Sequence, residues 1–254
     1  MYPTLFEIGN FELSTFGVMV AIAVLVGGEM AARSFAKFGL EREAAWRLVT
    51  WCIVGGMLGA KLWYVGEQLA RHPEAPIGEL LFSRGGLTWY GGLVGGAIAG
   101  MVGARLSKIP ILTLVNLASP TLAVGQALGR IGCFLVGDDY GRVTDMPWGI
   151  AFPKGLPPSV EPVHPTMLYE TVWLSLCGIW LWRRRASSPF LFGEYLLLAG
   201  LSRLCIEILR LNPPLLGPLS NAQVAACICI LLGVVGWLFA ASRRSGRPIR
   251  NAPV

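Results

Sequence analysis

Gly129-Arg130-Ile131-Gly132-Cys133-Phe134-Leu135-Val136-Gly137-Asp138-Asp139-Tyr140-Gly141 puts an arginine between glycines at the end of an apolar run, with two acids and two more glycines after it. Residues of these types suit phosphate recognition inside a membrane. A guanidinium keeps its charge and offers a planar fork of donors that matches phosphate oxygens, and the glycines let a headgroup approach the backbone. Arg203, Arg210 and Lys61 also fall within or at the ends of apolar segments. A cation there costs about 2.5–3.5 kcal/mol even on lenient insertion scales, so it is kept where something anionic meets it. That anion is either a ligand phosphate or a carboxylate on a neighbouring helix. Asp138, Asp139, Glu170, Glu194 and Glu207 have matching placement, and Glu207 lies one turn beyond Arg203.

Other reactive side chains are few. Cys133 lies beside Arg130, where a cation would activate a thiol; the alternative is a small packing residue. The remaining five cysteines sit in or beside apolar runs without metal-ligand spacing, so no metal site is expected. Of the two histidines, His72 belongs to a polar loop and His164 stands just before an apolar stretch, where it either handles protons or hydrogen-bonds a helix start.

The elements that must position these groups are membrane helices. Hydrophobic residues make up 54% of the 254-residue chain and charged residues 14%, well below the roughly 25% of a soluble domain. Apolar stretches at about 14–33, 46–66, 89–106, 112–136, 168–182, 190–210 and 221–241 are each close to the ~20 residues that cross a bilayer. The fifth is short, and Pro120 is expected to break the fourth. The fold class is therefore all-α: an integral membrane bundle of about seven transmembrane helices, with residues 1–254 forming one polytopic domain. The opening Met1–Ser14 segment has no basic region, so no cleavable signal peptide is expected.

Orientation follows from the connections. Arg33, Lys37, Arg42, Arg47, Arg105, Lys108, Arg183, Arg184, Arg185, Arg243, Arg244, Arg247 and Arg250 fall on one side, and only Arg71, Arg84, Arg142 and Lys154 on the other. The positive-inside rule puts the first set in the cytoplasm, with the N-terminus outside and the C-terminus inside. The net charge of +6 is spread over helix ends, which suits lipid headgroups and argues against nucleic acid. Residues 137–167 then form one long extracytoplasmic loop, with Trp148, Ile150 and Phe152 as an interfacial anchor. Gly55, Gly56 and Gly59 in the second stretch, and Gly91, Gly92, Gly95, Gly96 and Gly100 in the third, allow close helix packing or a backbone surface open to a headgroup.

These segments resemble the prolipoprotein diacylglyceryl transferase family, whose signature runs Gly-Arg-x-Gly-Asn-Phe-x-Asn-x-Glu-x-x-Gly. Gly129, Arg130, Gly132, Phe134 and Gly141 match it. In the family's order, Pro3–Gly9 is similar to its N-terminus, Phe16–Met19 to its first helix and Gly85–Gly95 to the start of its third. His164–Glu170 resembles its His-Pro-x-x-Leu-Tyr-Glu block, and Arg203, Glu207 and Arg210 its Arg-x-x-x-Glu-x-x-Arg helix. Asn221-Ala222-Gln223 sits where its last helix begins.

The resemblance implies a multi-pass enzyme of the bacterial inner (cytoplasmic) membrane. Its implied activity is transfer of a diacylglyceryl group from phosphatidylglycerol to the lipobox cysteine of a prolipoprotein, with membrane lipid and the lipobox peptide as partners and no cofactor. It assigns Arg130 and Arg203 to the phosphate and Tyr90 to the position of the thiol's base. Gly91, Gly92, Gly129, Gly132, Cys133, Asp138, Gly141, His164, Glu207 and Arg210 fall to the substrate-binding surroundings, Arg210 as a structural partner of Glu207.

The chain departs from the pattern at five of its functional positions. Tyr90 replaces the His before Gly-Gly, Cys133 the Asn, Asp138 the Glu, Phe16 a first-helix Tyr, and Ala199 a Tyr four residues before Arg203. A tyrosine with an ordinary pKa of ~10 is ionised about one part in a thousand at neutral pH. The alternative reading is a divergent paralogue that binds phospholipid, or passes it to another acceptor. A transporter fits less well, because the chain shows no pair of matching interrupted halves.

Overall fold

The computed structural model describes residues 2–8, 11–83, 86–210, 212 and 214–245. Gly9, Arg84, Gly85, Arg247 and Arg250 lie outside them. Strands β1 (Thr4–Ile8) and β2 (Phe11–Ser14) pair antiparallel and lead into α1 (Thr15–Lys37). There the Ser14 hydroxyl accepts from the Gly17 N–H at 3.1 Å and caps the helix. Next come α2 (Arg42–Arg71), the short α3 (Ile77–Phe82), α4 (Trp89–Leu106) and α5 (Ile111–Val136). A second hairpin, β3 (Ile150–Phe152) with β4 (Ser159–Val163), precedes α6 (Thr166–Arg184) and α7 (Leu191–Glu207). A third, β5 (Pro214–Leu216) with β6 (Leu219–Ser220), precedes α8 (Asn221–Ser245).

The fold is thus mostly helical, but the purely all-α expectation is corrected by these three hairpins, each of which leads into a long helix. Among the described residues, four helices, α1, α2, α5 and α8, are long and apolar enough to cross a membrane. The outer face of α8 shows why lipid is the fitting solvent: Leu231, Leu238 and Phe239 are all exposed. The other long helices are shorter, α7 most of all. Its 17 residues reach only about 25 Å at 1.5 Å per residue.

Two further expectations are corrected. Helix α5 runs unbroken through a buried Pro120. Proline removes the donor that would reach the Asn116 carbonyl, a loss that apolar helices tolerate; the neighbouring Ser119 hydroxyl donates to a different carbonyl, that of Val115, at 2.7 Å. Helix α7 ends at Glu207, so Arg210 lies in a turn rather than on the helix; the Arg210 N–H reaches the Glu207 carbonyl at 3.2 Å.

The chain divides into two compact units, residues 28–114 and residues 1–27 with 115–254. In the first, α2 and α4 touch backbone to backbone. A Cβ added at Gly55 would lie 2.7 Å from the Gly95 carbonyl oxygen, and one added at Gly95 would lie 2.8 Å from the Gly59 Cα. Only glycine permits that approach. Lys61 donates to the carbonyl and hydroxyl of Ser83, both at 2.8 Å, so its charge is met just beyond the end of α3.

In the second unit, α7 packs between α6 and α8. A buried Glu194 at the start of α7 gathers donors from three places. Arg184 and Trp180 come from α6, Trp237 from α8 and Ser188 from the intervening turn, at 2.7–3.3 Å. The 137–167 segment is ordered: Phe152, Val163 and Met167 form a small core with Cys133. Phe152 is fully buried, so the interfacial-anchor expectation fails for it, while Trp148 remains exposed. Burying such a ring from water contributes about 1.5–3 kcal/mol, more than its contact with headgroups would.

Candidate functional site

The charged residues of the second unit meet where α5, α6 and α7 bring their ends together. Arg130 projects from the last two turns of α5, Glu170 from the first turns of α6, and Arg203 and Glu207 from the end of α7. Past α5, Gly137 adopts a left-handed φ of +80°, and the Asp138 N–H returns to the Cys133 carbonyl at 3.1 Å. This is the glycine-terminated helix end that L-residues resist. Asp139 follows, also left-handed at φ +60°, a conformation aspartate tolerates better than most. The reversal turns Asp139 back onto Arg130.

An unbroken alternation of charge results. Glu207 Oε2 lies 3.3 Å from Arg203 Nη2, and Arg203 Nη1 lies 3.6 Å from Glu170 Oε1. Glu170 Oε2 is 3.0 Å from Arg130 Nε, and Arg130 Nη1 is 2.6 Å from Asp139 Oδ2. Asp139 Oδ1 closes the row by pairing with Arg210. Three guanidinium groups are therefore matched by three carboxylates, the arrangement that makes burial of such charges tolerable. Glu207 is held further by Asn212 Nδ2 and the Ser220 hydroxyl, both donating to Oε1 at 2.6 Å. The Ser220 N–H donates to Gln223 Oε1 at 3.0 Å.

The row is neutral but not saturated. Arg203 Nη1 and Arg210 Nη1 are buried without a hydrogen-bond partner among the described residues. A buried donor left unmade costs about 1–3 kcal/mol, more when charged; Glu170 Oε2 and Glu207 Oε2 of the same row are likewise without a hydrogen bond among the described residues. Beside them lies a cleft of about 400 Å³ lined by Glu207, Ile208, Arg210, Asn212, Gly217, Pro218, Ser220 and Gln223, within the size range of small-ligand sites.

Not every predicted residue joins this row. Arg130, Arg203, Glu207 and Arg210 come together, but Arg210 pairs with Asp139 rather than with Glu207. Asp138 makes no ion pair among the described residues; the carboxylate that meets the arginines is Asp139, one position later. Burial raises the Asp138 carboxyl above its ordinary range. Burial would raise Asp139 too, but Arg210 and Arg130 outweigh it and hold that carboxyl below the usual range.

Cys133 is buried in the Phe152–Met167 core, with its sulfur 4.0 Å from Arg130 Nη1. That is the packing role rather than an exposed nucleophile. His164 Nδ1 lies 3.3 Å from the Tyr169 hydroxyl, which accepts from Trp148 Nε1 at 2.7 Å, and its backbone joins Gly141 and Arg142. Among the described residues, no hydrogen bond links its ring to Arg130, Arg203 or Arg210.

The glycines differ. Open space faces Gly129, which suits headgroup approach. Gly132 packs against Phe16 and Met19, and a Cβ on Gly141 would lie 2.7 Å from the Leu209 carbonyl oxygen. Tyr90, Gly91 and Gly92 belong to the other unit. Tyr90 is exposed at the start of α4 with its ring edge-on to Trp89 at 5.2 Å, and Gly91 is buried against Gly59 and Trp63.

Asn212 and Ser220 were not foreseen as site residues. Nothing in their spacing marks them: Asn212 lies just past the end of α7, and Ser220 is returned to Glu207 by the hairpin of β5 and β6. Glu170, expected only as a counter-charge, is the carboxylate shared by both predicted phosphate arginines.

Comparisons with known proteins match nearly the whole chain. The family model described as prolipoprotein diacylglyceryl transferase matches residues 3–239. A phosphatidylglycerol–prolipoprotein diacylglyceryl transferase of Synechococcus elongatus is 34% identical, covering 98% of this chain and 92% of the relative. The enzyme of that name from Trichormus variabilis is 33% identical over 95% and 91% of the two chains, and the one from Clostridium tetani 30% identical over 92% and 96%. On these matches, the chain belongs to the prolipoprotein diacylglyceryl transferase family.

Proposed function

We propose that this protein transfers a diacylglyceryl group from phosphatidylglycerol to the lipobox cysteine of a prolipoprotein. The observation that carries the reading is the meeting of Arg130 and Arg203 on one buried carboxylate, Glu170, with an unmade Arg203 N–H to spare. In this reaction the cysteine sulfur attacks the glyceryl carbon that bears the phosphate. A C–S bond forms, the C–O bond breaks, and glycerol phosphate leaves with the bonding electrons. Arg130 and Arg203 hold the phosphate and take up the charge that grows on it as it departs, a preorganised electrostatic role. The thiol must first lose its proton, because thiolate is the nucleophile. Tyr90 stands where the family pattern has its base, and Gly129 gives the headgroup room.

The setting follows from the same reading. The chain is one polytopic domain of the bacterial inner membrane with about seven spans. In this reading its N-terminus is outside and its arginine-rich connections face the cytoplasm, which thirteen basic residues against four support. The segment 137–167 is then extracytoplasmic and places the arginine row toward the outer leaflet, where prolipoprotein and lipid meet.

Purified protein given phosphatidylglycerol and a lipobox peptide should release glycerol phosphate and lipidate the peptide. Arg130→Ala and Arg203→Ala should each stop this while leaving membrane insertion intact. Lipid binding without release would instead support a non-catalytic paralogue, the reading that the change of His to Tyr90 favours.

A further inference from the structure

The carboxylates of the arginine row are not equivalent. Glu170 and Glu207 are fixed on helices, with side chains only 5% and 1% exposed. Glu207 is further clamped by Asn212 and Ser220. Asp139 is 39% exposed and stands outside the helices on a left-handed turn. It gives one oxygen to Arg130 of α5 and the other to Arg210 beyond α7. A phosphodiester presents the same pair of charged oxygens, with two ester oxygens as additional acceptors for the unmade N–H groups of Arg203 and Arg210.

We propose that Asp139 is an internal rival of the substrate's phosphodiester: it bridges Arg130 and Arg210 in the empty enzyme and is displaced when an anionic headgroup enters. Residue 139 thereby sets lipid affinity. The proposal rests on the phosphate-binding reading of Arg130 and Arg203. A tethered rival raises the lipid concentration needed for occupancy, because binding must first free the arginines from an existing partner. Once displaced, the turn carrying Asp139 swings toward solvent, where a carboxylate is readily hydrated.

The test compares wild type with Asp139→Asn, Asp139→Ser and Asp139→Glu in phosphatidylglycerol vesicles with a lipobox peptide, and uses inorganic phosphate as an inhibitor. The Asn and Ser variants should lower KM for phosphatidylglycerol on the order of twofold to fivefold, the scale of a partly exposed charge pair. They should make inorganic phosphate a stronger inhibitor by a similar factor, with no rise in kcat. The Glu variant, which keeps the rival, should hold KM near wild type. An unchanged or raised KM in both neutral variants overturns the proposal, as does failure of both to fold, which would make Asp139 structural. A shift confined to inorganic phosphate overturns the assignment to lipid. Loss of this effect while Arg203→Ala remains inactive sinks the rivalry alone; turnover surviving in Arg130→Ala and Arg203→Ala sinks the phosphate reading beneath it.

Discussion

The seam between α2 and α4 and the junction of α5, α6 and α7 solve one problem in opposite ways. Lipid tails are as apolar as leucine, so helices gain nothing from hiding apolar surface from lipid and need another reason to associate. Along α2 and α4 the reason is shape: Gly55, Gly59, Gly91 and Gly95 let two backbones touch. At the α5–α6–α7 junction it is charge, with Arg130, Arg203 and Arg210 interleaved with Asp139, Glu170 and Glu207. A contact built on shape admits no substitute. One built on ion pairs can exchange a partner for an incoming anion, which is the property an active site needs.

The strongest way to test that contrast is to remove the charges. Arg203→Ala and Arg130→Ala should each cut glycerol phosphate release by about a hundredfold to a thousandfold, the scale of losing an electrostatic stabiliser of the transition state. Both variants should still insert into the membrane, at a stability cost of about 3–5 kcal/mol for the buried carboxylates left without a partner. Full activity in either variant would remove the assignment.

Damage to the seam should have a different signature. Gly95→Leu pushes a side chain into the Gly55–Gly59 backbone and should destabilise the fold by about 1–3 kcal/mol or more, read as a lower unfolding midpoint in detergent. Gly92→Ala is the control: its Cβ has 3.7 Å of clearance from Ala60, so its midpoint should match wild type. Equal losses in both would show that shape does not govern this contact.

A smaller effect is expected at Ser220, whose hydroxyl fixes Glu207 and through it Arg203. Ser220→Ala removes a hydrogen bond to a charged group, about 1.5–3 kcal/mol in stability. Only part of that should appear in kcat, as a loss of about fivefold, with Ser220→Thr recovering most of it. An unaltered kcat would leave Ser220 a fold residue. Least is expected of Tyr90→His, which restores the family's residue and should leave the rate at or modestly above wild type. A sharp fall would mean that Tyr90 has chemistry of its own.

The helices were legible because apolar runs of about twenty residues announce themselves, and Arg203 with Glu207 was legible from spacing of one helical turn. The end of α7 was not. Ile208 and Leu209 continue the apolar run, while the helix stops at Glu207, and hydropathy does not record where a hydrogen-bond ladder ends. The site acid was misplaced by one residue for a similar reason. Matching letters to a pattern chose Asp138, but the left-handed backbone at Gly137 and Asp139 decides which carboxylate faces the arginines. Ser220 reaches Glu207 only through the β5–β6 hairpin, which no periodicity reveals. The hairpins were missed because strands of two to five residues are too short to show alternation.

Glu194 has a consequence for how the chain is built. Its donors come from α6, the turn after it, and α8, so elements made both before and after α7 must arrive before its carboxylate is complete. Until α8 inserts and Trp237 docks, part of that carboxylate's hydrogen-bonding capacity stays unmet within a half-finished bundle. Helix α8, made after α7, thus locks the two helices before it, and a chain interrupted before Trp237 carries its own mark of incompleteness.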